Sequence, residues 1–366
     1  MSESKLFSPY KLGGIELKNK VVMAPMTRSR ALEENAPSEM NATYYGQRAG
    51  AGLIITEGTS PSPNGLGYPR IPALYSEKQA QGWNLVTDAV HEKGGKIFAQ
   101  LMHVGRVAHQ ANLPTSAEVV APTAKQVSGE MYTDSEGAQP HTLPREMNTG
   151  DIQKAIEEYT VAAKNAISAG FDGVELHGAN GYLIEQFLNP LVNERTDEYG
   201  GTVENRNRFA LEVAQSVSGA IGADKVGIRI SPYGVFNDMG PFEGVDDQYV
   251  ALAEKFKEIG LVYIHIVDHT AMGAPAVPVD IKLKIRDAFQ GTIILSGGYN
   301  KERAEKDLQE GLGHLVAFGR PFISNPDLVE RMKQGADLQE PDHNTFYTPG
   351  EEGYTDYPTL EDQEVG

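Results

Sequence analysis

The feature that most constrains the fold is an eightfold alternation of short apolar runs with longer amphipathic stretches, between residues 21 and 335. The short runs predict strands, and the stretches between them have the apolar spacing of helices. Strands joined by crossover helices form parallel sheet, and continuous apolar runs are typical of strands buried on both faces. Eight such units predict an α/β fold, a single (β/α)8 barrel of the TIM type.

The alternation assigns both kinds of element along the chain. The predicted strands are residues 21–26, 53–58, 96–103, 173–179, 226–232, 263–268, 292–298 and 315–323. The predicted helices are residues 37–49, 76–94, 149–170, 206–222, 246–260, 279–289, 300–311 and 325–335. Ser38 or its neighbour is the predicted N-cap of the first helix and Ser76 that of the second, where Gln79 completes a capping box. The rival fold, a doubly wound open sheet, needs a G-x-G-x-x-G turn where this chain reads APMTRSR.

A hairpin is predicted ahead of the alternation. Leu6-Phe7 and Ile15–Leu17 are its two apolar arms, and Gly13-Gly14 supplies the turn between them. We expect this N-terminal hairpin to cap part of the barrel.

Two connections are too long to be simple turns. Residues 104–148 follow the third strand and residues 189–205 follow the fourth. Loops of this size after barrel strands usually belong to the site or its lid, and a decorative or oligomer-forming insertion is the alternative. We predict that residues 104–148 are an excursion or lid and that the C-terminal segment, residues 340–366, lies near the active site. One domain spanning residues 1–366 is the simplest interpretation.

Composition excludes several classes of function. Because the chain has no cysteine, it has no disulfide, no thiolate metal ligand and no cysteine nucleophile. A net charge of −18 argues against binding to nucleic acid or to an anionic membrane surface. No apolar run approaches the roughly 18 residues that span a bilayer, and the first residues, MSESKLFSPYKLGG, lack the apolar core of a signal peptide. These observations predict a cytoplasmic protein.

The fourth predicted strand and the turn after it carry an unusual set of polar side chains. Glu175 and His177 alternate on one face of the strand, and Asn180 and Tyr182 follow. Catalysis in barrels of this kind occurs at the carboxyl ends of the strands. An imidazole, an amide and a phenol there could hold a polar oxygen and deliver a proton, although a merely polar strand end is the alternative.

Two further polar residues lie inside predicted strands. Arg229 stands between isoleucines, where a guanidinium is costly unless it meets an anion or a polar ligand. An internal ion pair with Glu175 is the other interpretation. Gln100 shares a face with Phe98 and Met102 and needs hydrogen-bonding partners, which either the protein or a ligand can supply.

The ends of the last two strands predict a phosphate site. Ser296–Gly298 and Phe318–Arg320 lie where barrels bind phosphate, since glycine lets the backbone approach the anion and arginine adds a charged hydrogen bond. Tight turns between strand and helix also use glycine, so they are the alternative.

The candidate site lacks the groups with which an enzyme catalyses a reaction without a cofactor. It shows no ordered metal ligands, no nucleophile and no strong base, which indicates a cofactor that carries the chemistry. The remaining histidines in loops are interpreted as loop or surface residues: His109, His141, His269, His314 and His343.

Several motifs together resemble the old yellow enzymes, FMN-dependent ene-reductases on a (β/α)8 barrel. They are VVMAPMTRSR, HGANGYL followed by FLNPLVNERTDEYGG, IRISP, SGGY, FGRPFI and the late EGYTDYP, and they cover nearly the whole chain. Thr27 stands where another branch has cysteine, so the chain resembles the classical branch, which includes bacterial maleimide and nitrate-ester reductases.

The resemblance implies a role for individual residues. His177 and Asn180 are expected to donate hydrogen bonds to the substrate's carbonyl or nitro oxygen, and Tyr182 to supply the proton. Tyr68, Met102 and Tyr354 are expected to line the substrate cavity. The residues expected to contact tightly but non-covalently bound FMN are Ala24, Pro25, Met26, Thr27, Gly58, Gln100, Arg229, Gly297, Gly298, Gly319 and Arg320.

The implied reaction is reduction of activated C=C bonds in enones, enals, maleimides and nitroalkenes, with NAD(P)H as reductant. Nitrate esters and nitro compounds are further candidate substrates, and no nucleic-acid or membrane partner is implied. A flavin-dependent dehydrogenase of the same fold and a phosphate-binding barrel without flavin are the alternatives. The expected assembly is a monomer or small homo-oligomer. The chain departs from the family at Asn180, where many members have histidine, and at Met102, where tryptophan is common, so substrate preference is expected to differ.

Overall fold

The computed structural model describes residues 4–365. Its strands are β1 (Tyr10–Leu12), β2 (Ile15–Leu17), β3 (Val21–Met23), β4 (Leu53–Ile55), β5 (Ile97–Leu101), β6 (Val120–Ala121), β7 (Glu130–Thr133), β8 (Gly137–Pro140), β9 (Arg145–Glu146), β10 (Gly173–Gly178), β11 (Val226–Ile230), β12 (Tyr263–Ile266), β13 (Thr292–Ser296) and β14 (Leu315–Phe318). Its helices are α1 (Glu39–Gln47), α2 (Glu77–His91), α3 (Thr149–Ser168), α4 (Leu183–Leu188), α5 (Val203–Ile221), α6 (Val245–Ile259), α7 (Val279–Phe289), α8 (Lys301–Gln309), α9 (Arg320–Ser324), α10 (Leu328–Gln334) and α11 (Leu360–Val365). Within residues 4–365, no helix is long and apolar enough to cross a lipid bilayer.

Eight strands close into a barrel, in the order β3, β4, β5, β10, β11, β12, β13 and β14. Neighbouring strands are parallel, and every barrel strand is followed along the chain by a helix. The predicted (β/α)8 fold is therefore confirmed. The register sets His177 on β10 beside Arg229 on β11, and Arg229 beside His265 on β12, so three polar residues form one row across adjacent strands.

The helix starts agree with the predicted caps. The backbone N–H of Ser38 donates to Asn41 Oδ1 at 2.9 Å ahead of α1. Ser76 and Gln79 form a reciprocal capping box at the start of α2, with hydrogen bonds of 3.3 and 3.0 Å. These local signals depend on a few neighbouring residues, which explains why the sequence alone predicts them well.

The predicted eighth strand is too long, and one helix near the site was not predicted. The eighth strand ends at Phe318 and not at residue 323, because α9 begins at Arg320. Pro321 in the first turn favours a helix start, since its missing N–H is not needed there. Helix α4 was not predicted, because all six of its residues are buried and it lacks the polar face by which a surface helix is recognised.

The N-terminal hairpin is formed by β1 and β2. Its first strand is Tyr10–Leu12, so the predicted arm at Leu6-Phe7 is wrong. Gly13 in the turn has φ +54, and a Cβ there would lie 2.6 Å from the carbonyl oxygen of Asp224, so glycine is required. Leu12 and Leu17 pack in one apolar cluster with barrel residues that include Phe98 and Tyr263, as expected for a cap.

Residues 104–148 contain structure of their own. Strands β7 and β8 form an antiparallel hairpin, and β6 pairs with β9 in parallel. Asp134 at the hairpin tip forms an ion pair with Arg70, and Arg70 Nη2 donates to the carbonyl oxygen of Tyr347 at 2.8 Å. This chain of contacts joins the excursion to the C-terminal segment above the barrel.

Candidate active site

One cavity of about 670 Å³ opens at the carboxyl ends of the barrel strands. This volume lies in the usual range of sites for small molecules and cofactors. Its lining includes every predicted site residue except Tyr354: Ala24, Pro25, Met26, Thr27, Gly58, Tyr68, Gln100, Met102, His177, Asn180, Tyr182, Arg229, Gly297, Gly298, Gly319 and Arg320. Together with Asp268 and His269, which follow β12, these residues come from all eight strand ends.

His177, Asn180 and Tyr182 lie together on one side of the cavity. Strand β10 carries His177 inward, and the ring of Tyr182 meets its ring edge-on with centroids 4.9 Å apart. The hydroxyl of Tyr182 is 2.8 Å from that of Tyr68. Asn180 adopts a left-handed backbone, with φ +59, which asparagine tolerates better than most residues.

Burial fixes the protonation states of His177 and Tyr182. Burial first, and then the nearby charge of Arg229, hold the pKa of His177 well below its ordinary value. Because the backbone N–H of Ala179 donates to His177 Nδ1 at 3.3 Å, the proton of the neutral ring is on Nε2. Burial also raises the pKa of Tyr182 well above its ordinary value. The site therefore offers an imidazole N–H donor beside a neutral phenol that retains its proton.

The alternative interpretation of Arg229, a direct ion pair with Glu175, is not formed among residues 4–365. Glu175 accepts hydrogen bonds from Gln100 Nε2 at 2.8 Å and from the Tyr263 hydroxyl at 3.0 Å. His265 Nδ1 lies 2.9 Å from Glu175 Oε2. Burial alone would raise the pKa of Glu175, but His265, the nearby charge of Arg229 and the hydrogen bond from Gln100 lower it, so the buried group is a carboxylate.

Arg229 consequently faces the cavity without a hydrogen-bonding partner among residues 4–365. Only 7% of the surface of Arg229 is exposed, and its buried Nε makes no hydrogen bond. A buried guanidinium without a partner is costly, and a polar or anionic ligand would relieve that cost. This orphaned cation fits a contact with FMN, which the sequence resemblance implies for Arg229.

Two glycines shape another part of the cavity wall. Gly297 has φ +128 and Gly298 has φ +61, both in the region that disfavours other residues. A Cβ on Gly298 would lie 2.4 Å from Ala271 Cβ, and one on Gly297 would lie 2.4 Å from the carbonyl oxygen of Asp268. With Gly319 and Arg320 from the next strand, they form a cradle of exposed backbone and one cation that fits a phosphate.

Met102 and Gly58 form a close contact in the cavity wall. A Cβ on Gly58 would lie 2.4 Å from Met102 Sδ, so the thioether occupies the space that any larger residue at position 58 would need. The two positions therefore set the shape of this wall together.

Tyr354 does not line the cavity, which corrects the prediction. Its ring stacks on that of Tyr44 with centroids 4.0 Å apart, and its hydroxyl accepts a hydrogen bond from Asn41 Nδ2 at 3.0 Å. The guanidinium of Arg30 lies 4.6 Å from the centroid of the same ring. Tyr347 lines the cavity in its place, with an exposed fraction of 61%. Sequence reasoning missed Tyr347, and the only signal that could have suggested it is an aromatic residue in a polar, glycine-rich segment.

His269 lies in a loop, as predicted, but no role in the site was predicted for this residue. It lines the cavity, and its Nε2 lies 2.8 Å from Asn180 Oδ1. Burial, and then the charge of Arg229, lower its pKa to about 4. The sequence could have suggested this residue, since it follows directly on the end of the sixth strand.

Comparisons with known proteins agree with this geometry. Residues 5–339 match the model of the NADH:flavin oxidoreductase / NADH oxidase family. The structure is similar to that of morphinone reductase, with 42% identity, a TM-score of 0.94 and coverage of 99% of this chain and 98% of that one. It is also similar to an old yellow enzyme homologue from Zymomonas mobilis, with 38% identity, a TM-score of 0.92 and coverage of 97% and 100%.

Curated relatives include plant enzymes. The chain is 42% identical to 12-oxophytodienoate reductase 1 of Oryza sativa subsp. japonica, over 98% of this chain and 93% of the relative. It is 38% identical to 12-oxophytodienoate reductase 2 of Arabidopsis thaliana, over 97% and 96%. The family match over most of the chain, the barrel and these relatives lead to one conclusion: the chain belongs to the NADH:flavin oxidoreductase / NADH oxidase family and, within it, to the old yellow enzymes.

Proposed function

We propose that the chain is an FMN-dependent ene-reductase that takes reducing equivalents from NAD(P)H and reduces the C=C bond of activated alkenes. The observation that carries this proposal is the group of His177, Asn180 and Tyr182 beside a cavity that also holds the orphaned guanidinium of Arg229. The relatives named as reductases of morphinone and of 12-oxophytodienoate support a substrate in which the alkene is conjugated with a carbonyl group.

The cavity wall would hold FMN through residues from several strand ends. Residues 24–27 and Gly58 border the cavity, and Gln100 and Arg229 present an amide and a cation to it. The cradle at Gly297, Gly298, Gly319 and Arg320 fits the phosphate group. The chemistry that bound FMN supplies is hydride transfer, from NAD(P)H in one half-reaction and to the alkene in the other.

The chain's own residues bind the substrate and handle its proton. His177 Nε2–H and the amide of Asn180 donate to the electron-withdrawing oxygen, which draws electron density from the alkene. The Tyr182 hydroxyl transfers its proton to the alkene carbon that does not receive hydride, so hydrogen is added across the double bond. A phenol with a raised pKa keeps that proton until a strongly basic carbon develops.

An anaerobic titration tests the proposed reaction. NADH or NADPH should bleach the yellow holoenzyme, and 2-cyclohexenone should then restore the colour with formation of cyclohexanone. A flavin-dependent dehydrogenase would be reduced but not reoxidised by the enone. A colourless purified protein that fails to bind added FMN would indicate a barrel without flavin. Either result would contradict the proposal.

Replacing Gly298 with valine should lower FMN affinity about tenfold or more. The left-handed backbone alone costs other residues about 1–2 kcal/mol, which corresponds to roughly tenfold in affinity, and the added Cβ would also clash with Ala271. The measurement is the ratio of FMN to protein after desalting. Gly219→Ala is the matched control, because Gly219 lies in α5 with open space around its Cβ position and outside the cavity lining. Full retention of FMN by Gly298→Val would argue against the cradle.

We also propose that residues 1–366 act as one domain, with residues 104–148 as a lid. The support is the link from Asp134 through Arg70 to Tyr347, which lines the cavity. A cytoplasmic location, and assembly as a monomer or small homo-oligomer, stay predictions from the sequence.

A further inference from the structure

His269 makes the side-chain contact that decides how Asn180 is presented to the cavity. The residue follows β12, and Asn180 follows β10 on the other side of β11. His269 Nε2 lies 2.8 Å from Asn180 Oδ1, and both residues line the cavity. Among residues 4–365, the side-chain amide of Asn180 makes no other hydrogen bond.

The atoms in this contact fix the direction of the amide. A carbonyl oxygen only accepts, so Nε2 of His269 must carry the proton that it donates to Oδ1. The NH2 group of Asn180 is then on the opposite side of the amide, free to donate elsewhere. If the amide were reversed, Oδ1 would be offered to the substrate, and an acceptor there would repel a carbonyl or nitro oxygen.

The surroundings hold both partners in place. The ring of Phe236 meets that of His269 edge-on, with centroids 4.5 Å apart. The next residue, Asn237, donates through Nδ2 to the backbone oxygen of Asn180 at 2.7 Å. Ser231 Oγ accepts from the backbone N–H of Asn180 at 3.0 Å. The backbone of Asn180 is therefore fixed independently of His269, and only its side-chain rotation is left to be determined.

We infer that His269 is a positioning residue for Asn180, which turns the amide NH2 group toward the electron-withdrawing oxygen of the substrate. This inference rests on the proposed function, because it assigns the NH2 group to that oxygen. In this proposal His177 and Asn180 contact the substrate directly, and His269 acts on the substrate only through Asn180.

A double-mutant cycle on the holoenzyme tests the inference. The variants are His269→Leu, Asn180→Ala and their combination, with His269→Gln as the conservative variant that retains an N–H donor. Reduced enzyme is mixed anaerobically with 2-cyclohexenone, and the concentration dependence of reoxidation gives an apparent Kd and a limiting rate. The same cycle is measured for 4-hydroxybenzaldehyde binding to oxidised enzyme, which requires no turnover.

We expect His269→Leu to weaken both ligands by roughly 3- to 10-fold, the value of one hydrogen bond. His269→Gln should restore affinity to within about twofold of the wild type. In the Asn180→Ala background, His269→Leu should have almost no further effect, because coupled residues are not additive.

Two outcomes would overturn the inference. Equal losses in both backgrounds would show that His269 acts independently of Asn180, and unchanged affinity in His269→Leu would show that it does not position the amide. If wild-type enzyme is not reoxidised by the enone at all, the proposed function fails, and the aldehyde cycle still decides the role of His269. FMN content, measured in each variant, identifies any that lose the cofactor.

Discussion

Tyr182→Phe should slow reoxidation of the reduced enzyme by 2-cyclohexenone about 10²–10⁴-fold, the usual contribution of a positioned proton donor. Reduction by NAD(P)H should remain nearly unchanged, because that half-reaction needs no proton from the phenol. The substitution removes one hydroxyl and retains the ring that packs against His177. Stopped-flow absorbance of the flavin, with each half-reaction followed separately, measures both rates.

Tyr68→Phe is the matched comparison for this prediction. It removes the hydroxyl that lies 2.8 Å from that of Tyr182 but leaves the transferable proton in place. Since a neutral hydrogen bond contributes about 0.5–1.5 kcal/mol, its effect should not exceed roughly tenfold. If Tyr182→Phe slowed both half-reactions equally, the residue would be needed for flavin reduction as well, and its assignment as proton donor would be wrong.

The double variant His177→Ala/Asn180→Ala should lose most enone turnover while FMN remains bound. Removing one donor to a developing oxyanion typically costs 10²–10³-fold in rate, so loss of both should reach about 10³-fold or more. Steady-state kinetics with 2-cyclohexenone and the FMN content of the purified protein are the measurements.

The control for this variant also replaces one asparagine and one histidine. Asn84→Ala/His91→Ala changes two residues of α2 that do not line the cavity, so turnover should stay close to that of the wild type. Wild-type affinity for the enone in the His177→Ala/Asn180→Ala enzyme would refute the oxygen-binding role of this pair.

Local and periodic features of the fold could be predicted from the sequence. The barrel follows from the alternation of elements, and the starts of α1 and α2 follow from capping residues three positions apart. The strand ends could also be identified, because parallel strands of a barrel bring their carboxyl ends to one face. Most residues of the cavity wall lie at those positions.

Features that depend on contacts between distant residues could not be predicted. His269 and Asn180 are 89 positions apart, and His265 and Glu175 are 90 apart, so only the strand register brings each pair together. The prediction that Tyr354 lines the cavity, where Tyr347 does so instead, failed for the same reason. Both tyrosines lie in the polar C-terminal segment, and only the path of the chain over Arg28 and Arg30 decides which ring is buried.

The unpaired Nε of Arg229 has a consequence for the stability of the protein. A buried guanidinium nitrogen without a hydrogen bond lowers the free energy of unfolding, and a cofactor that satisfies it raises that free energy by mass action. Protein stripped of its cofactor should therefore unfold at a lower temperature, and be cleaved faster by proteases, than protein that holds it.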